Sequence, residues 1–167
     1  MDSLEIILER ATKQYDDIEK QEMADKKNEY YKEYLKSLSY KDVSKEVIEL
    51  LEYLKRSNIK MAIGSSSKNT MLILKQIDLL KYFDAVVDGN QITYSKPNPE
   101  VFVKAAMKLN LDPTECFVIE DARHGIDAAN AGGFISIGIG DAKKYDKSTY
   151  HIENVKEIIK ILEDINN

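Results

Sequence analysis

Three short stretches carry residue types that can do chemistry together. Glu120-Asp121 closes the apolar run Cys116-Phe117-Val118-Ile119, so two adjacent carboxylates sit where a buried strand is expected to end. Adjacent carboxylates repel, which costs stability unless a cation neutralises them, and hard oxygen donors suit Mg²⁺. The alternative is a solvated turn that happens to be acidic. Ser65-Ser66-Ser67-Lys68-Asn69 follows an apolar run over 59–64 and leads directly into a helical pattern from Thr70 to Ile77. Hydroxyls, a lysine and the free N–H groups of a helix start together favour an anion such as phosphate. The alternative is ordinary N-capping by serine. Lys96 lies in Ser95-Lys96-Pro97-Asn98-Pro99, where the prolines hold the backbone extended and pre-set the next helix. A lysine fixed in this way can pair with phosphate or carboxylate; the alternative is a solvated surface lysine.

The elements that must position these residues read from periodicity. Leu4, Ile6, Ile7, Leu8 and Ala11 have helical spacing, and a second, polar helical run extends from about Asp17 to Ser37 with a narrow face at Met23, Tyr30, Tyr31, Tyr34 and Leu35. A third helix is expected from Ser44 to Ser57, with Val47, Leu50, Leu51 and Leu54 inward. From there short apolar runs alternate with helical patterns: strands over 59–64, 82–87, 116–119 and 134–138, helices over 70–77, 100–109, 122–131 and at the C-terminus, and a polar loop over 141–150. Alternation of this kind predicts a parallel sheet covered by helices on both faces. Ligands then bind beyond the carboxyl ends of the strands, where all three stretches fall.

The 167 residues suffice for one domain with an appendage, and 43% hydrophobic with 32% charged residues describes a soluble globular chain. A net charge of −5 argues against nucleic acid. No stretch approaches the roughly 18 apolar residues of a membrane helix, and no signal peptide is evident. With Cys116 as a single cysteine, expected to be a buried free thiol, a cytoplasmic location is the expectation.

Ser65 after one strand, Lys96 in Ser-Lys-Pro, and Glu120-Asp121 after another strand resemble, in order, motifs two, three and four of the haloacid dehalogenase superfamily. The run Gly64-Ser65-Ser66-Ser67-Lys68-Asn69, the Lys96-Pro97-x-Pro99 loop and Glu120-Asp121 with Gly125-Ile126 are most similar to its β-phosphoglucomutase-like branch. The resemblance implies a Rossmann-like α/β core over 43–167 and a partial helical cap over 1–42. It implies Mg²⁺-dependent phosphoryl transfer on a phosphorylated sugar through an aspartyl phosphate. By resemblance, Ser65 and Lys96 are catalytic: Ser65, helped by the Ser66 N–H, holds the transferring phosphoryl group, and Lys96 offsets its charge. Ser67, Lys68 and Asn69 hold the substrate's other phosphate, Lys27 reaches it from the cap, and Glu120 and Asp121 anchor the metal. The plain alternative for Lys27 is a solvated helix lysine. His124, His151 and Arg123 are taken as surface groups.

One departure weighs against a complete active site. The family opens with an apolar strand ending in Asp-x-Asp-Gly, which supplies the nucleophile and the acid/base, and no such run occurs here. Val86-Val87-Asp88-Gly89 lacks the first aspartate and reads as a turn. In the family the missing strand is central. Two inner edges are therefore expected to lie unpaired, open to self-association of a family otherwise monomeric. The reading is a phosphosugar mutase lineage, inactive as this chain alone. The rivals are a phosphatase of small phosphorylated metabolites and a non-enzymatic module that binds a phosphosugar or a partner protein.

Overall fold

The computed structural model describes residue 13 and residues 15–165. The helix expected over Leu4–Ala11 lies outside the described residues. The chain forms two compact units that divide between Leu38 and Ser39. In the first, helix α1 runs Asp17–Lys36 and begins with a reciprocal capping box, Asp16 accepting from the Glu19 N–H and Glu19 from the Asp16 N–H. It is exposed almost throughout, Leu35 being its buried residue.

The second unit alternates helix and strand as the periodicity predicts. Helix α2 (Lys45–Arg56) is capped by Ser44 and buries Leu50, Leu51 and Leu54. Strand β1 (Ala62–Gly64), helix α3 (Thr70–Gln76) and strand β2 (Ala85–Val87) follow. Helix α4 (Glu100–Leu109) ends on Asn110 in the left-handed conformation, φ 54°. Strand β3 (Phe117–Glu120), helix α5 (Arg123–Ala131), strand β4 (Ile135–Gly138), strand β5 (Tyr150–His151) and helix α6 (Glu157–Ile165) complete the unit. The stretch 141–150, expected to be loop, instead contains a short 3₁₀ turn (Gly140–Lys144) and leads into β5. Backbone pairing produces that strand: Tyr150 and His151 lie beside Ile137 and Gly138, a ladder that side-chain periodicity does not reveal. β1 begins at Ala62 rather than residue 59.

Every strand pairing is parallel, as expected of an α/β fold, and the strands form two sheets with no ladder between β1 and β3 among the described residues, in line with the two unpaired inner edges expected from the sequence. One is β1–β2 and the other β3–β4–β5. Two apolar cores pack around them. The first joins Leu50, Leu51, Leu54, Met61, Leu74 and Ile158 with Ile137. The second joins Val87, Val101, Phe102, Ala105, Val118 and Phe134. A cavity of about 600 Å³ lies between β1 and β3 and is walled by residues of both cores. No described helix is long and apolar enough to cross a membrane.

Candidate functional site

The serine turn is built at the end of β1. The Ser65 N–H still donates to the Val87 carbonyl at 3.0 Å, extending the β1–β2 ladder by one bond. The chain then folds on its own hydroxyls: Ser65 Oγ accepts the Ser67 N–H and Ser67 Oγ accepts the Asn69 N–H, each at 3.2 Å. The serines therefore cap their own turn rather than helix α3, whose N-cap is Asn69 without a side-chain bond. The loop after β2 braces this turn from beside it. The Gly89 N–H donates to the Ser67 carbonyl at 3.0 Å, and Asn90 Nδ2 to the Lys68 carbonyl at 3.0 Å. Gly89 is required here, because a Cβ would stand 2.3 Å from the Ser66 oxygen. Asp88, read as part of a turn, is buried and accepts the Asn90 N–H at 2.9 Å. Among the described residues no hydrogen bond engages the Ser66 or Lys68 N–H, and the Lys68 side chain is exposed. The turn thus leaves two backbone donors without a partner among the described residues.

Lys96 and Glu120 meet. The Lys96 ammonium donates to Glu120 Oε1, with side-chain exposures of only 19% and 10%. It also lies 4.6 Å from the centre of the Phe102 ring, a cation–π distance. Phe102 lies close against Gly64, where a Cβ would be 2.8 Å from ring carbon Cδ1. Gly64 immediately precedes Ser65, so the Phe102 ring links the serine turn to the lysine, and the ion pair links the lysine to the acid. Glu120 itself lies over Gly125, where a Cβ would fall 2.1 Å from its carboxyl carbon. Asp121 is exposed, and its carbonyl accepts the Ala142 N–H at 2.9 Å.

Glu100 and Phe102 were not singled out in the sequence, and Gly64 and Gly125 appeared there only as motif residues without a packing role, yet the four hold the three stretches together. Glu100 Oε2 accepts the N–H groups of Thr93 and Tyr94 at 2.9 and 2.7 Å, and Lys104 pairs with Oε1 at 2.5 Å. The loop carrying Lys96 is therefore held by a carboxylate as well as by proline. Those bonds, the Lys104 hydrogen bond foremost, hold the Glu100 carboxyl below the usual carboxylate range. An acid in the first turn of a helix was the available signal.

The remaining candidates fall elsewhere. Lys27 is exposed on α1, in the first unit. His124 and His151 are exposed. The Arg123 guanidinium lies 5.5 Å from the Tyr145 ring, whose hydroxyl donates to Asp127 at 2.8 Å. Cys116 is half-buried just before β3 rather than within it, and burial pushes its thiol pKa up. Among the described residues no group of three or more His, Cys, Asp or Glu side chains gathers as a metal cage. Glu120 and Asp121 offer two carboxylates. That donor set fits Mg²⁺, which is usually held by one or two carboxylates and completed by water and phosphate.

Comparison with known proteins gives consistent relatives. Residues 3–139 match the model of the haloacid dehalogenase-like hydrolases. β-Phosphoglucomutase of Bacillus subtilis is 36% identical over 144 residues, covering 85% of this chain and 64% of that protein. The phosphorylated carbohydrates phosphatase of Thermotoga maritima is 31% identical over 127 residues, 71% of this chain and 59% of that protein. The chain therefore spans less than two thirds of the length of these curated relatives. Among solved structures, β-phosphoglucomutase from Clostridium difficile superposes with a TM-score of 0.87 at 33% identity, covering 99% of this chain and 76% of that one.

Proposed function

The chain belongs to the haloacid dehalogenase-like hydrolase family, and from that premise we propose that it carries the phosphate- and magnesium-binding part of a phosphoryl-transfer site for phosphorylated sugars. The observation that carries this reading is the Lys96–Glu120 pair, held beneath the rim by Phe102 and Gly125 next to a serine turn with free N–H donors. Phosphoryl transfer asks for placed cations and donors more than for covalent chemistry by the protein. Ser65 and the Ser66 N–H hold the transferring phosphoryl group, and Lys96 offsets its charge. Glu120 and Asp121 hold Mg²⁺, which when bound neutralises phosphate oxygens. Lys96, now occupied with Glu120, is the group whose partner changes when phosphate arrives.

Within that class we favour the phosphosugar mutase over the phosphatase. Ser67, Lys68 and Asn69 continue the turn past Ser65, and the exposed Lys68 enters no ion pair among the described residues. A mutase must hold two phosphates at once, the one being transferred and the sugar's own, and such a group can hold the latter; a phosphatase needs only one such site. Lys27 belongs to this reading as a further cation. Because no Asp-x-Asp-Gly run occurs in the sequence, the chain by itself turns over no substrate, for want of a placed carboxylate to accept phosphate.

Thermal unfolding tests these points. Mg²⁺ with a hexose phosphate at a hundredfold excess over Kd stabilises by about 2.7 kcal/mol, or about 5–10 °C for a chain of this size. A hexose bisphosphate raises Tm more than a monophosphate if the mutase reading holds, and Lys68→Ala removes that difference. Equal shifts favour the phosphatase. No shift with any phosphorylated sugar defeats the assignment, and release of inorganic phosphate or an aspartyl phosphate on the isolated chain defeats the claim of inactivity.

A further inference from the structure

The amides of the serine turn alternate between held and free. The Ser65 N–H donates to the Val87 carbonyl, the Ser67 N–H to Ser65 Oγ and the Asn69 N–H to Ser67 Oγ. Between them, the Ser66 and Lys68 N–H groups have no partner among the described residues. The peptide unit that carries the Lys68 N–H is itself pinned. Its carbonyl, that of Ser67, accepts two bonds, from the Gly89 N–H at 3.0 Å and from Thr70 Oγ1 at 2.8 Å. Both lone pairs of that oxygen are therefore filled. The donors come from different elements, Gly89 from the loop after β2 and Thr70 from the first residue of α3. A peptide unit is planar and trans, so its N–H leaves the edge opposite its C=O. Holding the Ser67 oxygen from two sides thus fixes the direction of the Lys68 N–H. Thr70 is 6% exposed, and a hydroxyl so enclosed has to find an acceptor. It takes the carbonyl three residues back, an acceptor whose own peptide unit carries a free donor.

We propose that Thr70 is a positioning residue for the second phosphate of a mutase substrate, its hydroxyl aiming the Lys68 N–H at that phosphate. The inference rests on the mutase reading above and adds to it a residue outside the Ser67-Lys68-Asn69 run. Two groups of Lys68 then act differently. The side-chain ammonium, on a flexible stem, supplies charge without a fixed direction. The backbone N–H supplies direction. A hydrogen bond weakens steeply once donor and acceptor are misaligned, so a donor held in a pinned plane serves an anion better than one free to turn. The hydroxyl proton of Thr70 is already donated to the Ser67 oxygen, so Thr70 acts through the Lys68 amide rather than on phosphate. Because the Gly89 N–H holds the same oxygen, removing the hydroxyl strands no acceptor. The lesion lies in the aim of one amide, not in the folding of the turn.

The test follows the two free amides by NMR while Mg²⁺ and a hexose bisphosphate are titrated into the native chain, Thr70→Val and Thr70→Ser. Valine keeps the shape and loses the hydroxyl; serine keeps the hydroxyl. In the native chain the Ser66 and Lys68 amide protons both move downfield. In Thr70→Val the Lys68 response is lost while the Ser66 response stays, and affinity falls about tenfold, the loss of one hydrogen bond to a charged group. Thr70→Ser restores the Lys68 response and an affinity within about twofold of native. Should Thr70→Val not fold, Thr70→Ala removes the same hydroxyl without crowding and is read by the same two amides. A native Lys68 amide that stays still while Ser66 moves overturns the proposal. So does a Thr70→Val chain that keeps the Lys68 response and the native affinity. Loss of both responses in that variant, or a serine that restores neither, marks general loosening of the turn and also overturns it. No movement at either amide in the native chain is a different failure, which defeats the phosphate reading of the turn and this inference with it.

Discussion

Replacing Lys96 by Met keeps the length of the side chain and deletes its charge, leaving the Glu120 carboxylate against an apolar tail. Glu120 is 10% exposed and its carboxyl lies on Gly125, so water reaches it from few directions. Breaking a fully buried ion pair costs about 3–5 kcal/mol. The small residual exposure of both groups lowers the expectation for Lys96→Met to about 2–3 kcal/mol. Glu120→Gln costs less, about 1–2 kcal/mol, because the lysine stem can turn its ammonium toward water. The double variant leaves no stranded charge and costs about 1 kcal/mol, which makes the coupling about 2–4 kcal/mol. Urea unfolding followed by far-UV circular dichroism measures all four corners of the cycle. A pair this enclosed is screened little by salt, so the coupling survives 1 M NaCl. A coupling below about 0.5 kcal/mol, or one that disappears in salt, would place Lys96 and Glu120 in solvent and refute the enclosed geometry on which the site is built.

Gly89→Ala drives a methyl into the Ser66 carbonyl and should cost about 1–3 kcal/mol; it also removes the Tm rise given by phosphorylated ligands, and a variant that keeps that rise disproves the bracing of the serine turn. Glu100, its carboxyl held low first by the Lys104 hydrogen bond and then by the Tyr94 N–H, adds stability that is present above the unfolded value of about 4.3 and is lost as pH falls through the lower folded value. Glu100→Gln therefore loses less stability than the native chain below about pH 4.3, and parallel acid limbs in the two stability profiles contradict this. The Cys116 thiol, pushed up chiefly by burial, should alkylate with iodoacetamide many-fold slower in the native chain than in urea at pH 8, and equal rates would show it fully exposed.

What was legible in the sequence is what side-chain type and period encode. The helix bounds at Ser44, Thr70 and Glu100, the parallel alternation, and the landmarks Ser65, Lys96 and Glu120 all follow from caps, apolar spacing and charge. The missed features depend on backbone and shape. β5 exists because Tyr150 and His151 pair with β4, and a two-residue strand has no period to read. Phe102 looked like one more apolar helix residue, and its role as a platform between Gly64 and Lys96 comes from a close approach that only the absence of a Cβ at Gly64 allows.

The rim keeps its geometry although the sheet beneath it is divided, because the helices rather than a continuous hydrogen-bond ladder hold the halves together. Helix α4 buries Val101, Phe102 and Ala105 in the core that contains Val87 of one sheet and Val118 of the other. On the first core, Ile158 of α6 and Leu50 and Leu54 of α2 join Met61, just before β1, to Ile137 of β4. Apolar packing is non-directional and tolerates a gap between strands, whereas hydrogen-bond ladders do not. The same helices therefore do two things: they fix the serine turn, Lys96 and Glu120 relative to one another, and they keep two unpaired strand edges apart, facing a common space.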